Sequence, residues 1–310
     1  MSYSSAAGGD KVYVDDVFST DLWEGSSSQA DVENGIDLST EGGLVWIKNR
    51  SYSAGRSHVI YDTERGANKV LSSNSTSVES TYAANGTLSF NTDGYDVPSG
   101  DGDINGNGFG KYCGWTFRKA PGFFDVVTYT GDGVSTRNIA HSLGSVPGMI
   151  IVKKRNATGN WFAYHRSLGT NKWINFHHTD GADNNYGAWP WNGTTPTSTQ
   201  FTISNSTPGG DAYDINKLND TYVAYIFAHD EASFGTGGNE SIIKCDLTTM
   251  PSGVTWHDVN LGWEPQWVLL KNTNLSSTNW HIFDNMRGVV SGGYDNDLYP
   301  NTSGAEDSTV

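Results

Sequence analysis

The chain repeats itself, and this constrains its fold more than any other feature, because each copy of a repeat must bury the same face. Three apolar runs end in lysine: Leu44-Val45-Trp46-Ile47-Lys48, Met149-Ile150-Ile151-Val152-Lys153 and Trp267-Val268-Leu269-Leu270-Lys271. The lysines lie 153 − 48 = 105 and 271 − 153 = 118 residues apart. A second element follows each run, at 61–66, 164–169 and 283–288, and in each an aromatic, an arginine (Arg65, Arg166, Arg287) and a glycine recur. A third element, Tyr112-Cys113-Gly114-Trp115-Thr116-Phe117 and Tyr222-Val223-Ala224-Tyr225-Ile226-Phe227, closes the first two copies only. The third copy keeps pace to Leu298-Tyr299-Pro300-Asn301-Thr302-Ser303, the counterpart of 71–76, and counterparts of 88–97 and 112–117 are then expected to be missing.

Within each copy, short β-branched and aromatic segments alternate with Gly, Asn, Asp and Ser turns, and no segment sustains a 3.6-residue apolar period. The expected fold is all-β: tandem antiparallel β-sandwiches of jelly-roll or lectin-like type, two complete and a third incomplete. The expected domains are 1–120, 121–232 and 239–310. Lys119-Ala120-Pro121-Gly122 and the 232–238 stretch join them, too short to be flexible tethers. The sandwiches should therefore sit in a fixed array.

Charge excludes some functions. With 34 acidic against 19 basic residues, the net charge of −15 argues against binding nucleic acid or an anionic membrane through a basic patch. Only 17% of residues are charged while 37 are glycine, so the surface is mainly Ser, Thr, Asn and Gly. No apolar stretch is long enough to span a membrane. The first ten residues lack the basic and apolar regions of a secretory signal. Two cysteines, Cys113 and Cys245, are too few for a disulfide scaffold, and no CxxC or HExxH spacing occurs.

Asp101, Asp103 and Asn105 offer oxygen atoms at alternate positions before a glycine, as a Ca²⁺ loop does, although Tyr112 stands where a bidentate Glu belongs. The competing reading is a polar turn. Tyr186, Trp189 and Trp191 share a Gly/Asn/Thr-rich loop and could stack on a glycan, or fold inward and cap the second sandwich. His177 and His178 read as ordinary strand residues, since neighbours on a strand face opposite ways. The repeated arginines read as architecture bonded to turn carbonyls, with Asp62 and Asp284 as partners and His165 near the second. No nucleophile elbow or phosphate loop occurs, so no catalytic residue is assigned.

Long stretches resemble virion and tail-fibre-like proteins of marine tailed phages, chiefly cyanophages. They include Glu41-Gly42-Gly43-Leu44-Val45-Trp46-Ile47-Lys48, Asp62-Thr63-Glu64-Arg65-Gly66-Ala67, the 117–127 run Phe117-Arg118-Lys119-Ala120-Pro121-Gly122-Phe123-Phe124-Asp125-Val126-Val127, the 141–153 run and Leu261-Gly262-Trp263-Glu264-Pro265-Gln266-Trp267-Val268. The resemblance covers nearly the whole chain and its motifs are structural. It implies a non-enzymatic virion component, in a tail fibre or adsorption apparatus, that attaches to a host-surface glycan or outer-membrane component alongside other virion proteins. The alternatives are a head-decoration or tail-connector subunit without a receptor, and a polysaccharide-cleaving virion enzyme. Family members are often longer, and cover for the unfinished third copy is expected from homo-oligomerisation, preferably as a trimer. No cofactor other than Ca²⁺ is expected.

Overall fold

The computed structural model describes residues 11–82, 87–183, 185–205, 210–254, 257–289 and 295–308. The segment 1–10, on which the absence of a signal was read, and Val310 lie outside the described residues. The chain is all-β, 35% strand and 3% helical, built of antiparallel sheets. Among the described residues no helix is long and apolar enough to cross a membrane.

Unit 1 contains β1 (Phe18–Glu24), β2 (Ala30–Glu33), β3 (Gly43–Asn49), β4 (His58–Asp62), β5 (Lys69–Ser72), β6 (Ser80–Thr81), β7 (Ser89–Phe90), β8 (Gly94–Val97) and β9 (Lys111–Arg118). Its main sheet runs β1-β9-β3-β4-β5-β6, faced by β2-β8-β7. Unit 2 contains β10 (Phe124–Thr130), β11 (Thr136–Ala140), β12 (Met149–Lys154), β13 (Trp161–His165), β14 (Ile174–Asn175), β15 (Gln200–Ser204) and β16 (Thr221–Phe227). Its main sheet, β10-β16-β12-β13-β14, repeats the order of unit 1, with β11-β15 as the second layer. Unit 3 contributes the hairpin β17 (Trp267–Lys271) and β18 (Trp280–Asp284).

Register makes the units superimposable residue by residue. Trp46 pairs with Trp115 and Ile151 with Tyr225, so the last strand of each complete unit slides between its first and third. Lys48 lies opposite His58, Lys153 opposite Trp161 and Lys271 opposite Trp280, the same place in three hairpins.

The apolar runs are continuous rather than alternating because both faces of each strand are covered. Val45 and Ile47 pack with Tyr95 and Val97 in a core private to unit 1. Ile150 and Val152 pack with Phe201 and Ile203 in the private core of unit 2. The opposite faces meet in one shared core, where Trp46, Trp115 and Phe117 of unit 1 join Ile151, Trp161 and Tyr225 of unit 2 and Trp280 and Ile282 of unit 3. Unit 3 lacks a second layer among the described residues, and Leu270, at the Ile47 and Val152 position, is 50% exposed.

A shared core makes the units fold as one. Trp161 is fully buried in it, so Trp161→Ala is expected to cost roughly 3–5 kcal/mol. Calorimetry should show one transition moving to lower temperature. Two separated transitions, with unit 1 unchanged, would refute a common core.

Candidate functional site

The residues singled out for ligand chemistry are mostly committed to packing. Trp189 and Trp191 are buried in the private core of unit 2, at 3% and 2% exposure. Trp189 sets its edge against Phe162 (5.1 Å) and Trp173 (5.4 Å), and Trp191 does so against Tyr164 (5.7 Å). Neither indole offers a face to a sugar, which corrects the stacking-platform reading. The physical reason is that the two-stranded second layer of unit 2 is too small to cover its sheet, and the loop folds in to finish the job. Tyr186 remains at the surface beside Trp189.

The Asp101 loop closes on itself. Asp101 accepts from the Asp103 amide (2.7 Å), while the buried Asn105 side chain accepts from Ser26 N (3.1 Å) and donates to Ser28 O (2.9 Å). Burial and the neighbouring Asp101 push the Asp103 carboxyl up, with Arg56 opposing them. Asn105 is thus a structural pin, and these hydrogen bonds are those of a polar turn. Among the described residues no group of three or more His, Cys, Asp or Glu gathers in metal-ligand fashion. His177 and His178 lie in a turn after β14 rather than on a strand. His177 accepts from Trp161 N (3.3 Å), and His178 pairs with Asp180 at the surface (2.9 Å).

The polar groups that act together were not singled out by type: they are the three run-ending lysines. Lys48 and Lys153 are fully buried. Each lysine donates to one carbonyl of its own hairpin loop and one of a neighbouring unit. Lys48 Nζ reaches Arg56 O (2.6 Å) and Ser303 O (3.1 Å). Lys153 Nζ reaches Gly159 O (2.9 Å) and Thr76 O (3.1 Å). Lys271 Nζ reaches Thr278 O (2.5 Å) and Thr179 O (3.0 Å). Unit 1 therefore holds unit 3, unit 2 holds unit 1 and unit 3 holds unit 2, which closes a ring with pseudo-threefold symmetry. Backbone bonds follow the same cycle: Arg56 N to Ser303 O, Gly159 N to Thr76 O and Thr278 N to Thr179 O. So do Glu306 N to Arg50 O, Glu79 N to Arg155 O and Ala182 N to Thr273 O. Burial lowers the ammonium pKa values, to about 8 for Lys48, about 7 for Lys153 and about 8 for Lys271.

Two junctions carry a buried ionic relay as well. Asp62 grips Arg65 through its amide (2.8 Å) and Nε (2.5 Å), Arg65 donates to Ile60 O, and Tyr225 of unit 2 donates to Asp62 (2.8 Å). Asp284 and Arg287 repeat these contacts (2.9 and 2.6 Å), with Ile282 O as acceptor and Trp115 of unit 1 as outside donor (2.9 Å). Arg155 clamps Glu79, and Arg50 reaches Glu306, from the same outside units. Burial opposes the Arg65 charge, but Tyr225, Asp62 and Glu79 outweigh it and hold its pKa above the ordinary value.

At the third junction these charged members are absent together. Counting back from the positive-φ glycines Gly66, Gly169 and Gly288 puts Leu168, not Arg166, at the Arg65 position. This corrects the arginine repeat. His165 stands at the Asp62 place, Ala182 at the Glu79 place and Thr273 at the Arg50 and Arg155 place. A shallow cleft of about 310 Å³ opens there, lined by Trp173, Asp180, Asp183 and Asn185 of unit 2 and Thr273 and Asn274 of unit 3.

The chain belongs to the family described as domain of unknown function (DUF7483), which matches over residues 14–310. No curated protein and no solved structure matches it.

Two outcomes are expected from this geometry. A lysine with a lower pKa in the folded than in the unfolded state leaves the unfolded chain holding more protons between the two values. Stability then climbs as pH rises from about 7 or 8, where Lys153 and Lys48 titrate, towards the ordinary lysine value near 10.4. Buried tyrosines such as Tyr225, whose pKa burial holds well above 10, reverse the trend at higher pH. Lys153→Met should flatten the rise in melting temperature between about pH 6.5 and pH 10, and an undiminished slope would exclude Lys153 as its source. Separately, Trp191→Ala should destabilise by roughly 3–5 kcal/mol; a shift within experimental error would place the indole at the surface.

Proposed function

We propose that this chain is a non-enzymatic structural component of a phage particle, in a tail fibre or adsorption apparatus, that presents a polar surface to the host. The observation that supports it most is the ring. Three lysines, the Tyr225 and Trp115 donors to Asp62 and Asp284, and a shared aromatic core all hold units to one another. Such a chain is a rigid spacer with a near-threefold cross-section inside one polypeptide. The fibre reading does not then need three copies of the chain to make that cross-section. The resemblance of its motifs to virion and tail-fibre-like proteins points the same way. A surface rich in Ser, Thr, Asn and Gly suits work in salt water, where screening shortens the reach of charge, so host contact would rest on hydrogen bonds and short-range stacking.

The exposed apolar residues of unit 3 favour a second reading, a head-decoration or tail-connector subunit that docks other virion proteins and binds no receptor. Labelling intact particles with an antibody to this chain separates the two. Label at the tail, together with reduced adsorption when the purified chain competes for cells, is the expected result. Label on the head without competition favours the second reading. Release of reducing ends from host polysaccharide would overturn both.

A further inference from the structure

The cleft at the third junction exists because small residues stand where the repeat elsewhere carries large charged ones. Arg155 clamps Glu79 and Arg50 reaches Glu306 at the other junctions, whereas this one has Thr273 and Ala182 at those places. Main-chain bonds fix its walls. Ala182 N donates to Thr273 O (2.8 Å) and Thr278 N to Thr179 O (3.2 Å), and Lys271 Nζ also reaches Thr179 O (3.0 Å). Gly181 lets the two units touch, since a Cβ added there would come within 2.8 Å of Thr273 O. The cleft of about 310 Å³ is therefore preformed, as ligand sites usually are.

Its lining holds buried polar groups that the chain leaves unsatisfied. Trp173 and Asn175 both line the cleft and, two residues apart on extended chain, lie on one face of the sheet. They are 2% and 7% exposed, yet the Trp173 indole N–H and Asn175 Oδ1 have no hydrogen-bond partner. A buried donor and a buried acceptor left unpaired are costly, and each calls for an explanation. Asp183, the bridge partner of Trp173, spends Oδ1 on the Asn185 amide (2.7 Å), and Asp180 spends Oδ2 on His178 (2.9 Å). Each carboxylate keeps a second oxygen for a ligand. Asn274 and Ser276, both exposed, add an amide and a hydroxyl from unit 3.

We propose that this cleft binds a neutral sugar, one ring of a host-surface glycan. The proposal rests on the reading of the chain as a surface presented to a host, and gives that contact a place and a chemistry. The missing partners are of both kinds, an acceptor for the Trp173 N–H and a donor for Asn175 Oδ1. A hydroxyl group is both donor and acceptor, and a sugar carries several side by side. A metal ion would answer the oxygen atoms and leave the indole N–H unpaired. Asp180 and Asp183, with no basic side chain in the lining among the described residues, disfavour phosphate and acidic sugars. The volume lies at the small end of the roughly 300–1,000 Å³ of small-molecule sites, which suits a sugar ring better than a peptide segment.

The probes are the methyl glycosides of glucose, galactose, mannose and N-acetylglucosamine, added singly at millimolar concentration to the full chain and followed by its N–H resonances. The expected result is saturable binding of at least one, which moves the Trp173 indole signal and the amides of 181–183 and 273–276. Thr273→Arg restores the residue type of the other two junctions and fills the cleft. It should weaken binding by at least about tenfold, the effect of losing one or two hydrogen bonds, in a chain that calorimetry shows to be folded. Failure of all four sugars to bind overturns the proposal, as does binding that Thr273→Arg leaves intact. Tighter binding of glucuronic acid, or the same shifts from Ca²⁺ alone, also overturns it. Competition for cells separates this site from the wider reading. Loss of competition in Thr273→Arg identifies the ligand as a cell-surface glycan. Sugar binding by a chain that never competes overturns the host role and the glycan source, leaving a site for free sugar. Undiminished competition by a chain that binds no sugar overturns the cleft and leaves the host role.

Discussion

A buried ammonium group bonded to carbonyls of two units is the constraint on which the rest of the structure depends. Taking a lysine out of water is costly unless its protons find acceptors, and the carbonyls beside Lys48, Lys153 and Lys271 come from loops of different units. A unit on its own therefore leaves each lysine half satisfied. Closing the ring satisfies all three at once and brings the apolar faces that carry Trp46, Trp161 and Trp280 together over one core. Burial of aromatic surface supplies most of the driving force. The lysines set the register, because a slip of one residue would turn the ammonium towards the private sandwich core.

Much of this order is readable in the sequence. The apolar run with its terminal lysine and the aromatic closing strand of the first two copies follow from residue type and spacing. Ring closure is not readable, because the acceptors are main-chain carbonyls of Thr76, Thr179 and Ser303. A carbonyl carries no sequence signature. The lysines themselves were visible as repeat marks, but a lysine at the end of an apolar run ordinarily reaches solvent, and only the neighbouring unit shows that these do not.

The misplaced candidates have physical causes. Arg166 mimics Arg65 because both lie between an aromatic residue and a glycine, but the turn geometry is fixed by the glycine, whose positive φ admits few other residues. Trp189 and Trp191 look exposed because their loop is rich in Gly, Asn and Thr. That composition describes the backbone of the loop, whereas burial of the indoles depends on how little of the sheet β11 and β15 cover. Asp101, Asp103 and Asn105 have the alternation of an ion loop, but Asp101 and Asn105 spend side-chain oxygens on nearby amides, a choice that spacing alone leaves open.

The asymmetry of the ring follows from the same electrostatics. A buried Asp–Arg pair is tolerable only when its geometry and remaining hydrogen bonds are complete; with one partner removed, an uncompensated charge stays in the core. The relays at Asp62 and Asp284 draw their outside donors from β16 and β9, the closing strands of the adjoining units. At the third junction that donor would come from a closing strand of unit 3. Among the described residues no such strand is present, so an aspartate at position 165 with an arginine at 168 would there be a pair short of a donor. The sequence instead has His165, whose pKa burial lowers to about 4 and so keeps it neutral, and Leu168, which packs against the shared core. Ala182 and Thr273 stand where the outer Glu and Arg would be. Neutral residues there leave the junction with no buried charge that needs an outside donor to complete it.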